Sequence, residues 1–513
     1  MDTTLPASGG ANRWVVMAGA CLGVFSLTMN GTALITAVPE IRHELDIGPT
    51  MLQWIVTIYF LVGAIFLAAA GRIGDFFGHG RVFLAGALCF MAAYVLIAVA
   101  GAASIVLVGR AVQGLAGALL LPMSLALVKA TFPQEQRQVA AGIWSGFLGL
   151  GLGVGPIVGG LLTHYEGWRS VFWVSLAIAA LSFVITLSAL RGKLETHSRQ
   201  ASDGRDYFGF ALLAAAMGTF TFAITHAEQL GWLSALTLAP LLIAILSLAL
   251  LLLRERRQSS PFLDLDLFRH RHFVAATLGI LCTFFLIYAI LYFASLYLQN
   301  TLTFDDSPER AGVTLIALTI MMFVVSLLVH RVIARWGARL VVTSGMALIC
   351  LGSVLLSLGT GSTGVVGLEV ALVFCGVGLG LTVPVFSGIG LATLPADKTG
   401  QGAGLLTTFT FLGATVGVSV GGLVSAARSQ STLQDGLAAA NATRQVPIED
   451  VSAGLHASSA QLQALLGQFD DETASSVEMA LRQAVDAGFA GLSVLCVVIA
   501  AFGAIAQFWL LKR

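Results

Sequence analysis

The stretch Ala130-Thr131-Phe132-Pro133 returns 262 positions later as Ala392-Thr393-Leu394-Pro395, and the register holds on both sides of it. Upstream, Pro122 falls on Pro384. Downstream, Ala141 and Gly142 fall on Ala403 and Gly404, while Gly151, Gly155, Gly159, Gly160 and Leu161 fall on Gly413, Gly417, Gly421, Gly422 and Leu423. A glycine spacing shared over this length marks an internal repeat. Each copy lies in an apolar run, and about 20 apolar residues suffice for a helix to cross a ~30 Å hydrocarbon core. Such runs recur about fourteen times, near 14–38, 51–70, 82–100, 104–128, 138–163, 171–190, 207–226, 235–253, 272–298, 311–334, 340–359, 364–392, 401–427 and 484–511. The expected fold is therefore an all-α polytopic membrane protein. The repeat makes spans 4 and 5 reappear as spans 12 and 13, eight spans on, where two plain six-span halves would require six. Two helices, near 207–226 and 235–253, are thus expected between the halves. The division becomes 1–190 for the first six-helix half, 191–271 for the inserted helices and their loops, and 272–513 for the second half. Parallel repeats of this kind are a transporter architecture with the binding site at the midplane.

Composition agrees with this division. Of 513 residues, 57% are hydrophobic and 11% charged, against roughly 25% charged in soluble proteins, which excludes a soluble globular enzyme. The 27 basic and 27 acidic side chains cancel, so net charge gives no argument for a nucleic-acid partner. Cys21, Cys89, Cys282, Cys350, Cys375 and Cys496 all lie in apolar runs without metal-like or paired spacing, so neither a metal site nor a disulfide framework is expected. Residues 1–12 lack a basic leader region, and the first apolar run reads as a retained span. Sorting Lys and Arg by loop puts twenty on the side of the termini and six on the other (Arg42, Arg169, Arg310, Arg428, Arg444 and Arg482), leaving Arg110 inside a span. Basic residues stay on the cytoplasmic side, so both termini are expected there, with loops 191–206 and 254–271. Segment 428–483 is then outside. It is too polar to span, and Leu455, Leu462, Leu465, Leu466 and Phe469 suggest an amphipathic helix in it.

The loop Gly71-Arg72-Ile73-Gly74-Asp75-Phe76-Phe77-Gly78-His79-Gly80-Arg81 joins a carboxylate, turn glycines and arginines between spans 2 and 3. Here the chain resembles the major facilitator superfamily, whose loop motif it keeps at Gly71, Asp75, Gly78 and Arg81 while having Phe76, His79 and Gly80 where basic residues are usual. The resemblance implies a conformational role for this loop, of which Arg331-Val332-Ile333-Ala334-Arg335-Trp336-Gly337 is a degenerate echo. Gly109-Arg110-Ala111-Val112-Gln113-Gly114 resembles the family's second motif. An arginine within a span is costly and faces a cavity or a partner, with simple outward reach as the competing reading. Gly151 to Gly160, including Gly155, Pro156 and Gly159, resembles the stretch that marks exporters within the superfamily. Physically, Gly151, Gly155 and Gly159 give one smooth face for close helix contact, and Pro156 removes a backbone hydrogen bond. Asn30-Gly31-Thr32 followed by Ala37-Val38-Pro39 resembles the signature of the fourteen-span drug:proton antiporters, with Asn30 where aspartate is usual. Asparagine cannot release a proton.

Glu369 is the one carboxylate expected within a span. Under the 262 offset it maps to Leu107, one turn from Arg110, so Asn30, Arg110, Gln113 and Glu369 are the candidate substrate and coupling residues. Phe284, Phe285, Tyr288 and Tyr292 on span 9 are the candidate cavity aromatics. Two motif matches carry nothing: Gly417-Val418-Ser419-Val420-Gly421 imitates a nucleophile elbow without a strand-to-helix turn, and Asn441-Ala442-Thr443 is a sequon relevant only in a eukaryotic host. The expected function is alternating-access export of lipophilic or amphipathic small molecules, coupled to protons and needing no cofactor. An importer or lipid-moving relative is the nearest alternative. A membrane-embedded enzyme lacks any loop clustering His, Asp or Glu, and a channel does not call for a two-half repeat. One candidate carboxylate furnishes a cavity poorly for dications, so neutral, monocationic or anionic lipophiles are expected. The expected setting is a bacterial cytoplasmic membrane, with the chain in contact with lipid and working as a monomer.

Overall fold

The computed structural model describes residues 10–133, 136–190, 207–231, 233–258, 265–300, 308–359, 364–392, 399–439, 451–456 and 459–512. Among these, every regular element is helical. The first half comprises α1 (Gly10–Leu45), α2 (Pro49–Phe77), α3 (His79–Ala98), α4 (Ala103–Thr131), α5 (Arg137–Glu166) and α6 (Arg169–Leu190). The inserted pair is α7 (Tyr207–Leu230) and α8 (Ala235–Glu255). Then come α9 (Arg271–Leu298), α10 (Pro308–Gly359), α11 (Gly364–Ala392), α12 (Thr399–Ala439), the short α13 (Ser459–Leu466) and α14 (Asp471–Leu510). Thirteen helices among the described residues are long and apolar enough to cross a membrane. One of them, α10, has 52 residues and breaks at Gly337 (φ 78°, ψ 152°). Only glycine adopts that conformation without strain. The two legs of α10 are separate passes, so the bundle makes fourteen crossings, as the apolar runs imply.

Packing repeats as the sequence does. In the first half α1 lies on α5 and α6; in the second, α9 lies on α12 and α14. The halves meet through two symmetric pairs, α5 on α10 and α12 on α2. The inserted α7 touches both α2 and α12, and α8 packs on α7. Leu236, Leu242, Ile245, Leu246 and Leu253 of α8 stay exposed, as a lipid-facing helix requires.

Several helices overrun the expected spans. The run at 14–38 belongs to α1, which continues through Pro39 to Leu45. Segment 428–483 is not a polar loop with one amphipathic helix: α12 extends to Ala439, and α14 already begins at Asp471. Leu433, Leu437, Val451, Leu455, Leu462, Val477 and Leu481 bury one another, with Leu465, Leu466 and Phe469 packed against them. The expected apolar stripe thus builds a small core of its own above the bundle. Asp470 caps α14 by accepting a hydrogen bond from the Thr473 amide at 3.3 Å. The loop 191–206 and the sequon Asn441-Ala442-Thr443 lie outside the described residues.

Three of the five prolines inside the described helices, Pro39, Pro156 and Pro384, show how the packing is satisfied. Proline lacks an N–H and so releases the carbonyl four residues back. Pro39 releases Ile35, whose oxygen accepts from Ser295 Oγ of α9 at 3.1 Å. Pro156 releases Leu152, whose oxygen accepts from Thr32 Oγ1 of α1 at 3.2 Å. Pro384 releases Gly380, whose oxygen accepts from Ser326 Oγ of α10 at 3.3 Å. In each case a hydroxyl on a neighbouring helix takes the freed acceptor, which is how a bilayer tolerates helix-interior proline.

Candidate functional site

The interior of the first half holds a connected polar network. Arg110 of α4 is fully buried, so it does not reach outward to the membrane surface. Its Nε donates to the Ile55 carbonyl of α2 at 3.0 Å and its Nη1 to Gln113 Oε1 at 2.8 Å. The guanidinium carbon sits 4.4 Å from the ring centroid of Tyr59, a cation–π contact strengthened by exclusion of water. Gln113 Nε2 donates to Asn30 Oδ1 at 3.4 Å, and Asn30 Nδ2 to Ser175 Oγ of α6 at 3.2 Å. Ser26 Oγ donates to the Ser175 carbonyl at 2.9 Å, and the Tyr94 hydroxyl of α3 donates to the Ser26 carbonyl at 3.1 Å. Five helices are tied together around one cation. Arg110 Nη2 has no hydrogen-bond partner, and no ion pair involves Arg110 among the described residues.

Aromatic rings carry this network to the second half. Phe60, beside Tyr59, meets Tyr288 of α9 with ring centroids 4.4 Å apart and Phe411 of α12 at 5.8 Å. Of the span-9 aromatics, Tyr288 is therefore the one that reaches the network. The backbone of Phe285 lies against Gly413 and Gly417 of α12. Tyr292 is buried further along α9, and Phe284 is half-buried.

Glu369 of α11 is half-buried and makes no hydrogen bond or ion pair among the described residues. The structure does not bring it to Arg110, whose contacts come from α2 and α4. Nor is it the only carboxylate set among long helices: Asp486, half-buried in α14, accepts from the Tyr297 hydroxyl at 2.6 Å. It stands three residues into the expected run 484–511, close enough to its edge to be sorted with the loop. Ser26, Tyr59, Tyr94 and Ser175 were also missed by sequence reasoning, although a hydroxyl in an otherwise apolar span is itself a signal that something must bond it.

The glycine-rich stretch of α5 has two faces. Gly151, Gly155 and Gly159 face α1: a Cβ at Gly151 would lie 2.8 Å from the Phe25 carbonyl, and one at Gly155 2.7 Å from that of Met29. At Gly159 it would collide with the Ala33 carbonyl. The expected smooth face is present, but it closes a contact inside the first half. The other face, with Gly153, Pro156 and Gly160, meets α10. A Cβ at Gly312 would lie 3.0 Å from the Pro156 carbonyl and 3.2 Å from Gly160 Cα. The repeat reproduces this: Gly422, equivalent to Gly160, admits the side chain of Gln53 from α2. These contacts between halves, with the bond from Ser295 to Ile35, lie from the middle of the bundle to the end opposite the termini. That end is closed in this conformation.

The loop motif contributes a turn. Gly78 (φ 87°) alone separates α2 from α3, and its amide closes on the Gly74 carbonyl at 2.9 Å. Gly337 makes the corresponding break in α10. Arg81 is exposed on the first turn of α3, while the side-chain positions of Gly71 and Asp75 lie outside the described residues.

The model of the Major Facilitator Superfamily matches residues 20–418. The chain is 31% identical over 414 residues to the multidrug resistance protein Stp of Mycobacterium tuberculosis, covering 80% of this chain and 76% of that one. It is 32% identical over 445 residues to the tetracenomycin C resistance and export protein of Streptomyces glaucescens, covering 86% and 82%. Its fold resembles that of the nucleoside transporter NupG with a TM-score of 0.57 at 11% identity, covering 97% of this chain and all of that one. With this family match, its repeated halves and its fourteen apolar crossings, the chain is an integral membrane transporter, not an enzyme, and belongs to the major facilitator superfamily.

Proposed function

We propose that this transporter exports lipophilic or amphipathic small molecules by alternating access, driven by proton entry, from a bacterial cytoplasmic membrane with both termini in the cytoplasm. The observation that carries the reading is the two-faced stretch of α5. Gly151, Gly155 and Gly159 bind α5 to α1 as one rigid unit, while Gly153, Pro156 and Gly160 present a nearly side-chain-free surface to α10. A contact made of backbone has little interdigitation to undo, so the halves part at modest cost and rejoin in register. Similarity to proteins named for drug resistance and antibiotic export supports the outward direction.

In the cycle that follows, substrate enters from the side of the termini while the far end is closed. Release requires α5 to leave α10 and α12 to leave α2, breaking the bond from Ser295 to Ile35. The polar network around Arg110 and Asn30 orients substrate beneath the Tyr59, Phe60, Tyr288 and Phe411 cluster. Glu369 is the proposed proton-binding carboxylate, since Asn30 cannot serve, and the transporter acts as a monomer. Deleting the gene and measuring cellular retention of a panel of lipophilic monocations and anions tests the direction. Raised retention supports export, whereas reduced uptake supports an importer.

A further inference from the structure

Two basic residues stand immediately outside neighbouring apolar runs, where lipid headgroups lie. Arg339 precedes the run 340–359 and Lys512 follows the run 484–511, both at the bundle end that carries the termini. The second leg of α10 packs on α14: the Cys350 thiol donates to the Val497 carbonyl at 3.8 Å, and a Cβ at Gly503 would lie 3.2 Å from Met346 Sδ. Arg339 is fixed at the edge of this pair. Its Nε donates to the Phe508 carbonyl at 3.1 Å, and its guanidinium carbon lies 4.2 Å from the Phe508 ring centroid. Both Nη nitrogens are left open at the surface, without an acceptor among the described residues. Lys512 is exposed, with Nζ 5.3 Å from the Trp509 ring centroid and no carboxylate partner among the described residues. Other cations at this end are engaged within the chain: Arg269 lies 3.3 Å from Asp266, and Arg81, Lys129 and Arg254 have partners. An apolar track runs away from the two free cations. Val498, Phe502, Ile505 and Trp509 are exposed at spacings that share one face of α14.

We infer that this edge is a binding site for one anionic phospholipid, whose phosphodiester oxygens accept from the Nη nitrogens of Arg339 while its acyl chains lie along the exposed face of α14. A guanidinium held in one plane presents two donors at the spacing of two phosphate oxygens. Lys512 adds attraction through space, as basic residues at the ends of spans do for acidic headgroups. A zwitterionic lipid carries the same phosphate, but its ammonium group is repelled by the second cation. The leaflet that supplies the lipid rests on the orientation reading; the binding itself does not.

The test is photolabelling of the full chain in phosphatidylcholine nanodiscs doped sparsely with a diazirine-acyl phosphatidylglycerol or, separately, a diazirine-acyl phosphatidylcholine. Adducts are mapped by peptide mass spectrometry, and label on 498–509 is measured against label on the lipid-facing α3. One basic residue near an anionic headgroup favours it about fivefold, so phosphatidylglycerol is expected to exceed phosphatidylcholine on 498–509 by at least about that factor. Arg339→Gln with Lys512→Gln is expected to erase the preference while leaving label on α3 unchanged. Inorganic phosphate, at an ionic strength matched with chloride, is expected not to compete. Equal labelling of 498–509 by the two probes, or a preference there that survives the double change, would overturn the proposal. Competition by phosphate would assign the two cations to a soluble anion and overturn the lipid assignment. The comparison of the two probes on the unaltered chain needs no variant to fold.

Discussion

Removing the Thr32 hydroxyl tests whether intramembrane prolines here are compensated by neighbouring helices. Thr32 Oγ1 lies 3.2 Å from the Leu152 carbonyl, the acceptor that Pro156 leaves without its helical donor. The same hydroxyl is 3.2 Å from the Thr28 carbonyl and 3.3 Å from that of Met29, so its single hydrogen is shared and the bond to Leu152 is partial. Hydrogen bonds between membrane helices average about 0.6 kcal/mol and reach about 1.7. Thr32→Val keeps the shape, so it should weaken folding by about threefold to twentyfold in equilibrium constant. Pro156→Ala restores an N–H that can bond Leu152 directly. In that background Thr32→Val should be close to neutral, and the double-mutant cycle should return a coupling of about 0.6–1.7 kcal/mol. Steric-trap unfolding in bicelles measures all four proteins. An equal cost of Thr32→Val with and without Pro156 would refute the compensation.

Four further outcomes are expected. Gly312→Leu sets bulk between α10 and the Pro156 carbonyl, so spin-label distances across the far end should widen and transport fall by about tenfold or more, while Gly155→Leu should lower folded yield because its face belongs to α1. Impermeant thiol labelling of single introduced cysteines should mark the exposed position 468 from outside and position 200 only after permeabilisation; the reverse would overturn the charge-based orientation. Glu369→Gln should remove proton-driven accumulation but leave downhill exchange, and Asn30→Asp should shift the pH optimum, whereas an unchanged pH profile and uphill transport in Glu369→Gln would dismiss that carboxylate. The hydrogen bond from Thr473 holds the Asp470 carboxyl below its usual value, so the cap's contribution is present above about pH 4 and is lost as pH falls further; Asp470→Asn should keep the α14 terminus protected from amide exchange without that pH dependence.

Much of the fold was legible because hydrocarbon thickness sets a length that apolar runs must match, and because glycine spacing survives in both copies of the repeat. Where polar sequence continued a helix past the membrane, the reading stopped early. Residues 428–439 and 471–483 remain helical because Leu433, Leu437, Val477 and Leu481 bury against one another, a tertiary gain that hydropathy does not see. The candidate site was legible as residue types. Asn30, Arg110 and Gln113 drew attention as polar groups in apolar spans, and the fold joins them through Ser175 and Tyr59. Which face of α5 meets which helix was not legible, since small residues every fourth position fit either neighbour equally well. The partner became assignable only once Thr32 on one side and Gly312 on the other were in place.

The central claim is outward transport by two halves that separate along α5 and α10. Its most direct measurement is substrate flux in sealed inside-out membrane vesicles energised by an inward-acid proton gradient, run with the unaltered chain and with Gly312→Leu. Accumulation inside the vesicles by the unaltered chain, abolished by collapsing the gradient and strongly reduced in Gly312→Leu, is the predicted result. Accumulation only in right-side-out vesicles, or wild-type flux through Gly312→Leu, would contradict it.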